Sequence, residues 1–90
     1  MYTVVKRDGK VVNFNLSKIR NAIIKAFDAC DLQYNDDTID FLALKVTSDF
    51  QSKIKEDRVS VEDIQDSVEN VLIQCGYSEV AKAYILYRKQ

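Results

Sequence analysis

The sequence predicts a mainly α domain: a four-helix bundle capped by a small N-terminal β-hairpin. Three observations predict it. Four segments carry apolar residues at helical spacing. An Asp8-Gly9 pair sits between two short runs of β-branched and aromatic residues. The 90 residues include no proline and only two glycines, which leaves little chain for irregular connections. A chain of this length fits one domain, residues 1–90, with a thin margin of stability.

The hairpin comes first. Tyr2–Lys6 and Lys10–Phe14 have strand character, and Arg7-Asp8-Gly9 lies between them. Asp-Gly favours a type I′ turn, which needs positive φ at both central positions. A lone hairpin is marginal in water, so this one must pack on something. Helix 1 follows, with Asn15 or Ser17 as its cap and Ile19, Ala22, Ile23, Ala26 and Phe27 on one face, ending near Cys30. Helix 2 starts after Asn35, where Asp36 and Asp37 suit the positive end of the helix dipole. Its stripe is Ile39, Leu42, Ala43, Val46, Phe50 and Ile54, and it is expected to end near Lys55. Helix 3 opens on Ser60-Val61-Glu62-Asp63, which resembles a capping box. Ile64, Val68, Val71 and Leu72 form its face, and Gly76 is placed to end it in a left-handed conformation. Helix 4 begins after Ser78, with Val80, Ala81, Tyr84, Ile85 and Tyr87 at its apolar and aromatic positions and Arg88 and Lys89 at its C-terminal end. It runs to Gln90 without a terminator, so the chain is expected to be the N-terminal fragment of a longer protein.

Charge is unevenly spread. The net charge is −1, which argues against a general nucleic-acid binder. Residues 1–25 nevertheless carry Lys6, Arg7, Lys10, Lys18, Arg20 and Lys25 against Asp8 alone, and the last residues add Lys82, Arg88 and Lys89. If the two ends meet, they form a local positive site on a nearly neutral protein. The middle is acidic, and Glu62, Asp63, Asp66 and Glu69 on helix 3 read as a solvated face. Cys30 and Cys75 are far apart and form neither a CxxC pair nor a four-cysteine zinc site. No secretory signal and no apolar stretch of membrane-spanning length is visible, so the expected location is cytoplasmic with no membrane partner.

Conventional catalysis has little to work with. There is no histidine, no GxxxxGK[ST] loop and no GxGxxG, and the carboxylates follow no metal-binding loop. The hairpin is more informative. Lys6 and Arg7 enter its turn and Lys10 leaves it, while Lys18 lies in the first turn of helix 1. If the hairpin folds over that helix start, cations converge with the free N–H groups of a helix N-terminus, an arrangement that suits a polyphosphate. Val4, Val12 and Ile19 would wall an apolar slot for a base. The same residues also fit a charged hairpin on a bundle with no ligand.

The opening run Val4-Val5-Lys6-Arg7-Asp8-Gly9-Lys10-Val11-Val12, then Phe14, Lys18-Ile19 and Ala22-Ile23, closely resembles the start of the ATP-cone family. So do Val59 to Glu69 and Val80 to Arg88, whereas residues 28–58 hold the pattern more than the identity. The resemblance implies a helical bundle under a small β element, with ATP or dATP as allosteric ligand and Mg2+ on the phosphates. The family occurs at the N-terminus of many ribonucleotide reductases, where ATP favours activity and dATP stops it, and in a bacterial repressor of reductase genes behind a zinc ribbon. A cone at Met1 with no four-cysteine site favours the reductase, and the opening and closing residues look most like the anaerobic triphosphate class. The resemblance makes this chain a regulatory domain rather than an enzyme, with the remainder of the reductase and nucleotide-controlled oligomeric contacts as its partners. The alternatives are the repressor and a helical interaction module without ligand. By position, the family's phosphate contacts fall on Lys6, Arg7, Lys18 and Lys89, and its base and sugar pocket near Val4, Val12, Asn15 and Ile19, with Asn15 able to bond the adenine edge. Gln65 stands where some members have a nucleotide-facing histidine, and Asn13 where proline is common.

Overall fold

The computed structural model describes residues 2–89. Strands β1 (Thr3–Val5) and β2 (Val11–Asn13) precede helices α1 (Leu16–Ala29) and α2 (Asp36–Asp49). A 3-10 turn at Gln51–Lys53 leads to strand β3 (Arg58–Ser60), then α3 (Val61–Gln74) and α4 (Ser78–Arg88). The helices pack in a closed ring in which α1 touches α2 and α4, and α3 touches the same two. The core holds the expected stripes: Ile23, Phe27, Ile39, Leu42, Val46, Val68, Leu72 and Val80 are all buried.

The helix boundaries have local causes. Asn15, not Ser17, caps α1, its Oδ1 accepting from the Ser17 N–H at 2.9 Å. Asn35 caps α2 through the Thr38 N–H at 2.8 Å, and Ser60 caps α3 through the Asp63 N–H at 3.0 Å. Gly76, at φ +88°, closes α3 as expected: the Tyr77 N–H donates to the Leu72 carbonyl and the Gly76 N–H to that of Ile73. α1 ends in the same way on Asp31 at φ 54°, with the Leu32 N–H bonded to the Phe27 carbonyl.

Three expectations are corrected. Helix 2 does not reach Lys55. It stops at Asp49, because Phe50 turns inward as its buried C-cap and the chain tightens into the 3-10 turn, leaving Ile54 half-buried beyond it. The N-terminal sheet is not a hairpin alone. It has three strands in the order β2-β1-β3, with β1 antiparallel to β2 and parallel to β3, and Val4 opposite both Val12 and Val59. The third correction concerns turn type. In the β1–β2 turn only Gly9 has positive φ, and the Gly9 N–H bonds to the Lys6 carbonyl at 2.9 Å while the Lys6 N–H bonds to that of Lys10 at 2.8 Å. That is a three-residue loop over Arg7-Asp8-Gly9, a type I turn closed by glycine, and the Asp8 carboxylate fixes it by accepting from the Lys10 N–H at 3.0 Å.

Positive φ at two consecutive residues occurs instead at Glu56 (53°) and Asp57 (61°), between Lys55 and Arg58, which exchange both backbone hydrogen bonds. The left-handed conformation is costly for residues with a Cβ, least so for Asn and Asp. The turn is retained because the Asp57 carbonyl accepts from the Thr3 N–H at 2.8 Å, tying it to β1. Replacing Glu56 with Asn and Asp57 with Gly together keeps every backbone bond and is expected to stabilise the domain by about 1 kcal/mol. Thermal denaturation should then show a midpoint roughly 4–8 °C higher, and an unchanged or lower midpoint would refute the account of this turn.

Candidate functional site

The sheet sets the site. β3 passes into α3 without a loop, because Ser60 is both the last strand residue and the helix cap. Since Val5 pairs with Ser60, the residues that follow Val5, Lys6 and Arg7, emerge beside the first turns of α3. β2 passes through Phe14 and Asn15 into α1, which brings Lys18 and Ile19 to the other side of the same opening.

An inner cavity of about 220 Å³ lies between the sheet, α1, α3 and α4. Seven of the nine residues expected at the site line it: Val4, Lys6, Val12, Asn15, Lys18, Ile19 and Gln65. An outer cavity of about 410 Å³ shares Lys6, Val61, Gln65 and Tyr87 with the inner one and adds Arg7, Asp8 and Arg88. The inner cavity is walled mainly by carbon and the outer one is rimmed by cations, a division that suits a ligand apolar at one end and anionic at the other. Lys89 lines neither cavity. It is the exposed C-cap of α4, beside Arg88.

Two of the expected residues are already engaged. The Asn15 carbonyl oxygen is committed to the helix cap, so its amide NH2 is the group left for a ligand. Arg7 is held down: Nη2 donates to Gln65 Oε1 at 3.0 Å and to the Arg88 carbonyl at 3.2 Å, and Nε lies 3.6 Å from Glu62. The guanidinium thus bridges the hairpin turn to α3 and to the end of α4.

The acidic side of α3 is not wholly a solvated face. Glu69 and Asp66 both accept from Arg88 Nη1, the latter at 2.9 Å, and the Arg88 side chain is only 16% exposed. Burial disfavours the Arg88 charge, but the hydrogen bonds and charges of the two carboxylates together outweigh it and raise its pKa. Sequence reading placed Arg88 at a helix end and missed this pairing. The signal was present: Glu62, Asp66 and Glu69 recur on one side of α3 at helical spacing, opposite an arginine near the end of the next helix.

Tyr84 and Tyr87, read as core, also line the inner cavity. Tyr87 is 42% exposed and carries the Lys25 ammonium 5.7 Å from its ring centre. Tyr84 is buried, and burial first of all pushes its phenol up to about 12, with Arg88 pulling the other way. α1 is the one α-helix among those described whose first turn carries no acidic residue, so nothing in that turn offsets its positive end at the cavity.

The arrangement is a helical domain with an apolar cleft, rimmed by cations and covered by a three-stranded sheet. Comparison with known proteins gives this class its name: the ATP cone domain family matches residues 2–90, and the chain belongs to it. The chain is similar to the ribonucleoside-diphosphate reductase subunit alpha of Chlamydia pneumoniae, with 42% identity over 96% of this chain and 9% of that protein. It is similar also to the vitamin B12-dependent ribonucleoside-diphosphate reductase of Thermoplasma acidophilum, at 43% over 97% of this chain and 12% of the relative. The anaerobic ribonucleoside-triphosphate reductase of Escherichia coli shows 35% identity over 94% of this chain and 11% of its own length. The chain therefore spans about a tenth of these relatives. Its homology extends to both diphosphate and triphosphate reductases without singling out a class, and membership of the family implies adenine-nucleotide binding. No helix among the described residues is long and apolar enough to cross a membrane.

Proposed function

We propose that this domain is an allosteric sensor of a ribonucleotide reductase, with ATP or dATP seated in the inner cleft. The observation that carries the reading is the convergence of Val4, Lys6, Val12, Asn15, Lys18, Ile19 and Gln65 on one cavity in a chain of the ATP-cone family. The adenine lies against Val4, Val12 and Ile19, with the Asn15 amide at its edge. The phosphates, carrying Mg2+, run outward past Lys6 and Lys18 to Arg7. Lys89 is a long side chain beside Arg88 that can meet the outermost phosphate. ATP and dATP differ only in the 2′-hydroxyl, so each stabilises a different arrangement of the domain or of its contacts with the parent chain. The readout is a change in subunit contacts.

Within the reductases, the opening and closing residues favour the anaerobic triphosphate class, while the higher identities to the Chlamydia and Thermoplasma proteins favour a diphosphate enzyme. A glycyl-radical segment in the parent chain would decide for the first.

Isothermal titration of the domain with ATP, dATP and GTP in magnesium is the direct test. Saturable binding of both adenine nucleotides is expected, with GTP at least about tenfold weaker, because a cleft shaped for one base leaves polar groups of the other unpaired. Equal binding of GTP would sink the assignment of the base pocket.

A further inference from the structure

Tyr84 as a whole is 3% exposed, yet its hydroxyl has no hydrogen-bond partner among the described residues, and the residue forms part of the inner cavity wall. Its oxygen differs from the Ser67 hydroxyl, which is sealed away from solvent without a partner. The Tyr84 oxygen therefore opens onto the cavity. Burying a phenol whose oxygen meets nothing is unfavourable, and phenylalanine would fill the same volume without that cost. The same cavity is walled by Val4, Val12, Ile64 and Val68, and the polar side chains that also line it make no hydrogen bond to Tyr84. Its helix neighbour Tyr87 lines both cavities, and the charges of Arg88 and Arg7, which line the outer one, act on the Tyr84 phenol.

We propose that the Tyr84 hydroxyl hydrogen-bonds the sugar of the bound nucleotide and is a determinant of its affinity. The proposal rests on the nucleotide reading above. In that pose the base occupies the floor and the phosphates the rim, so the sugar is the part of the ligand that passes the hydroxyl. The phenol stays protonated at neutral pH and donates to a ribose oxygen.

The test compares wild type, Tyr84→Phe and the control Tyr77→Phe, which lies outside the cleft, by calorimetric titration with ATP and dATP in magnesium. Loss of one neutral hydrogen bond predicts a Kd roughly tenfold weaker for Tyr84→Phe, with Tyr77→Phe at the wild-type value. The melting temperature of Tyr84→Phe should equal or exceed that of wild type, since no bond within the protein is lost. Wild-type affinity for both nucleotides in Tyr84→Phe overturns this inference and leaves the nucleotide reading standing. A Tyr84→Phe domain that melts well below wild type also overturns it, because the hydroxyl would then serve the fold. Absence of binding in the folded wild-type domain overturns both readings.

Discussion

Replacing Lys6 and Arg7 together with alanine is expected to weaken ATP and dATP binding at least about a hundredfold, since each charge-assisted contact to phosphate is worth roughly 1.5–3 kcal/mol. In a parent reductase carrying both changes, inhibition by dATP should disappear at concentrations that inhibit the unaltered enzyme. The fold should survive. Lys6 is exposed, and the Arg7–Glu62 pair, at 3.6 Å with side chains 48% and 62% exposed, contributes little in water. Arg7 does lose its bonds to Gln65 and the Arg88 carbonyl, but those groups remain open to solvent at the outer cavity. Titration and thermal melting of the same sample separate the two effects. Binding within a few-fold of wild type would remove Lys6 and Arg7 from the phosphate site.

Phe50→Ala acts on the fold instead. Phe50 is fully buried at the end of α2, and its ring meets Tyr2 and Phe14 edge-on, each with centroids 5.9 Å apart. Tyr2 and Phe14 flank β1 and β2, and their rings lie tilted against one another with centroids 4.8 Å apart. The one side chain thus pins the β1–β2 pair to the bundle. Truncating it should cost about 3–5 kcal/mol, a large part of the 5–15 kcal/mol that holds a typical domain together. At roughly 4–8 °C per kcal/mol for a domain of this size, the melting midpoint should fall on the order of 20 °C. A fall of only a few degrees would mean that the sheet is held mainly by its strand pairing.

The two substitutions mark what could and could not be read from the sequence. The helices were legible because an amphipathic stripe states its own period, and Asn35, Ser60 and Gly76 state where a helix begins or stops. β3 was not legible. It is three residues long with one buried valine, and its turn is built from Glu56 and Asp57 with neither the glycine nor the asparagine that usually marks two consecutive positive φ angles. Its pairing with β1 is set by tertiary packing, and no local pattern announces that. Asp8-Gly9, the better local signal, specified a turn correctly but not its type, because one extra residue, Arg7, lengthens the loop.

The cleft shows the same division. Residues near one another in the chain, such as Lys6, Arg7, Val12 and Lys18, were found together because the hairpin brings them together. Tyr84 and Tyr87 were assigned to the core because helical spacing does not distinguish a residue facing packed carbon from one facing a cavity. The role of Arg88 depended on the register between α3 and α4, which sequence spacing leaves open.

Both the sheet and the cleft are completed by chain far from the N-terminal hairpin. Thr3 bonds to Asp57, 54 positions further along the chain, and the cleft is closed by Tyr84 and Tyr87 on the last helix. Contacts of such long sequence separation bear a loop-closure cost before they return any energy. A ribosome-bound chain that has not yet released α4 has the basic turn but lacks the Tyr84 and Tyr87 wall of the pocket. On the proposed reading, nucleotide competence therefore requires α4 as well as the basic turn, and a domain cut before Ser78 would carry the cations without the pocket.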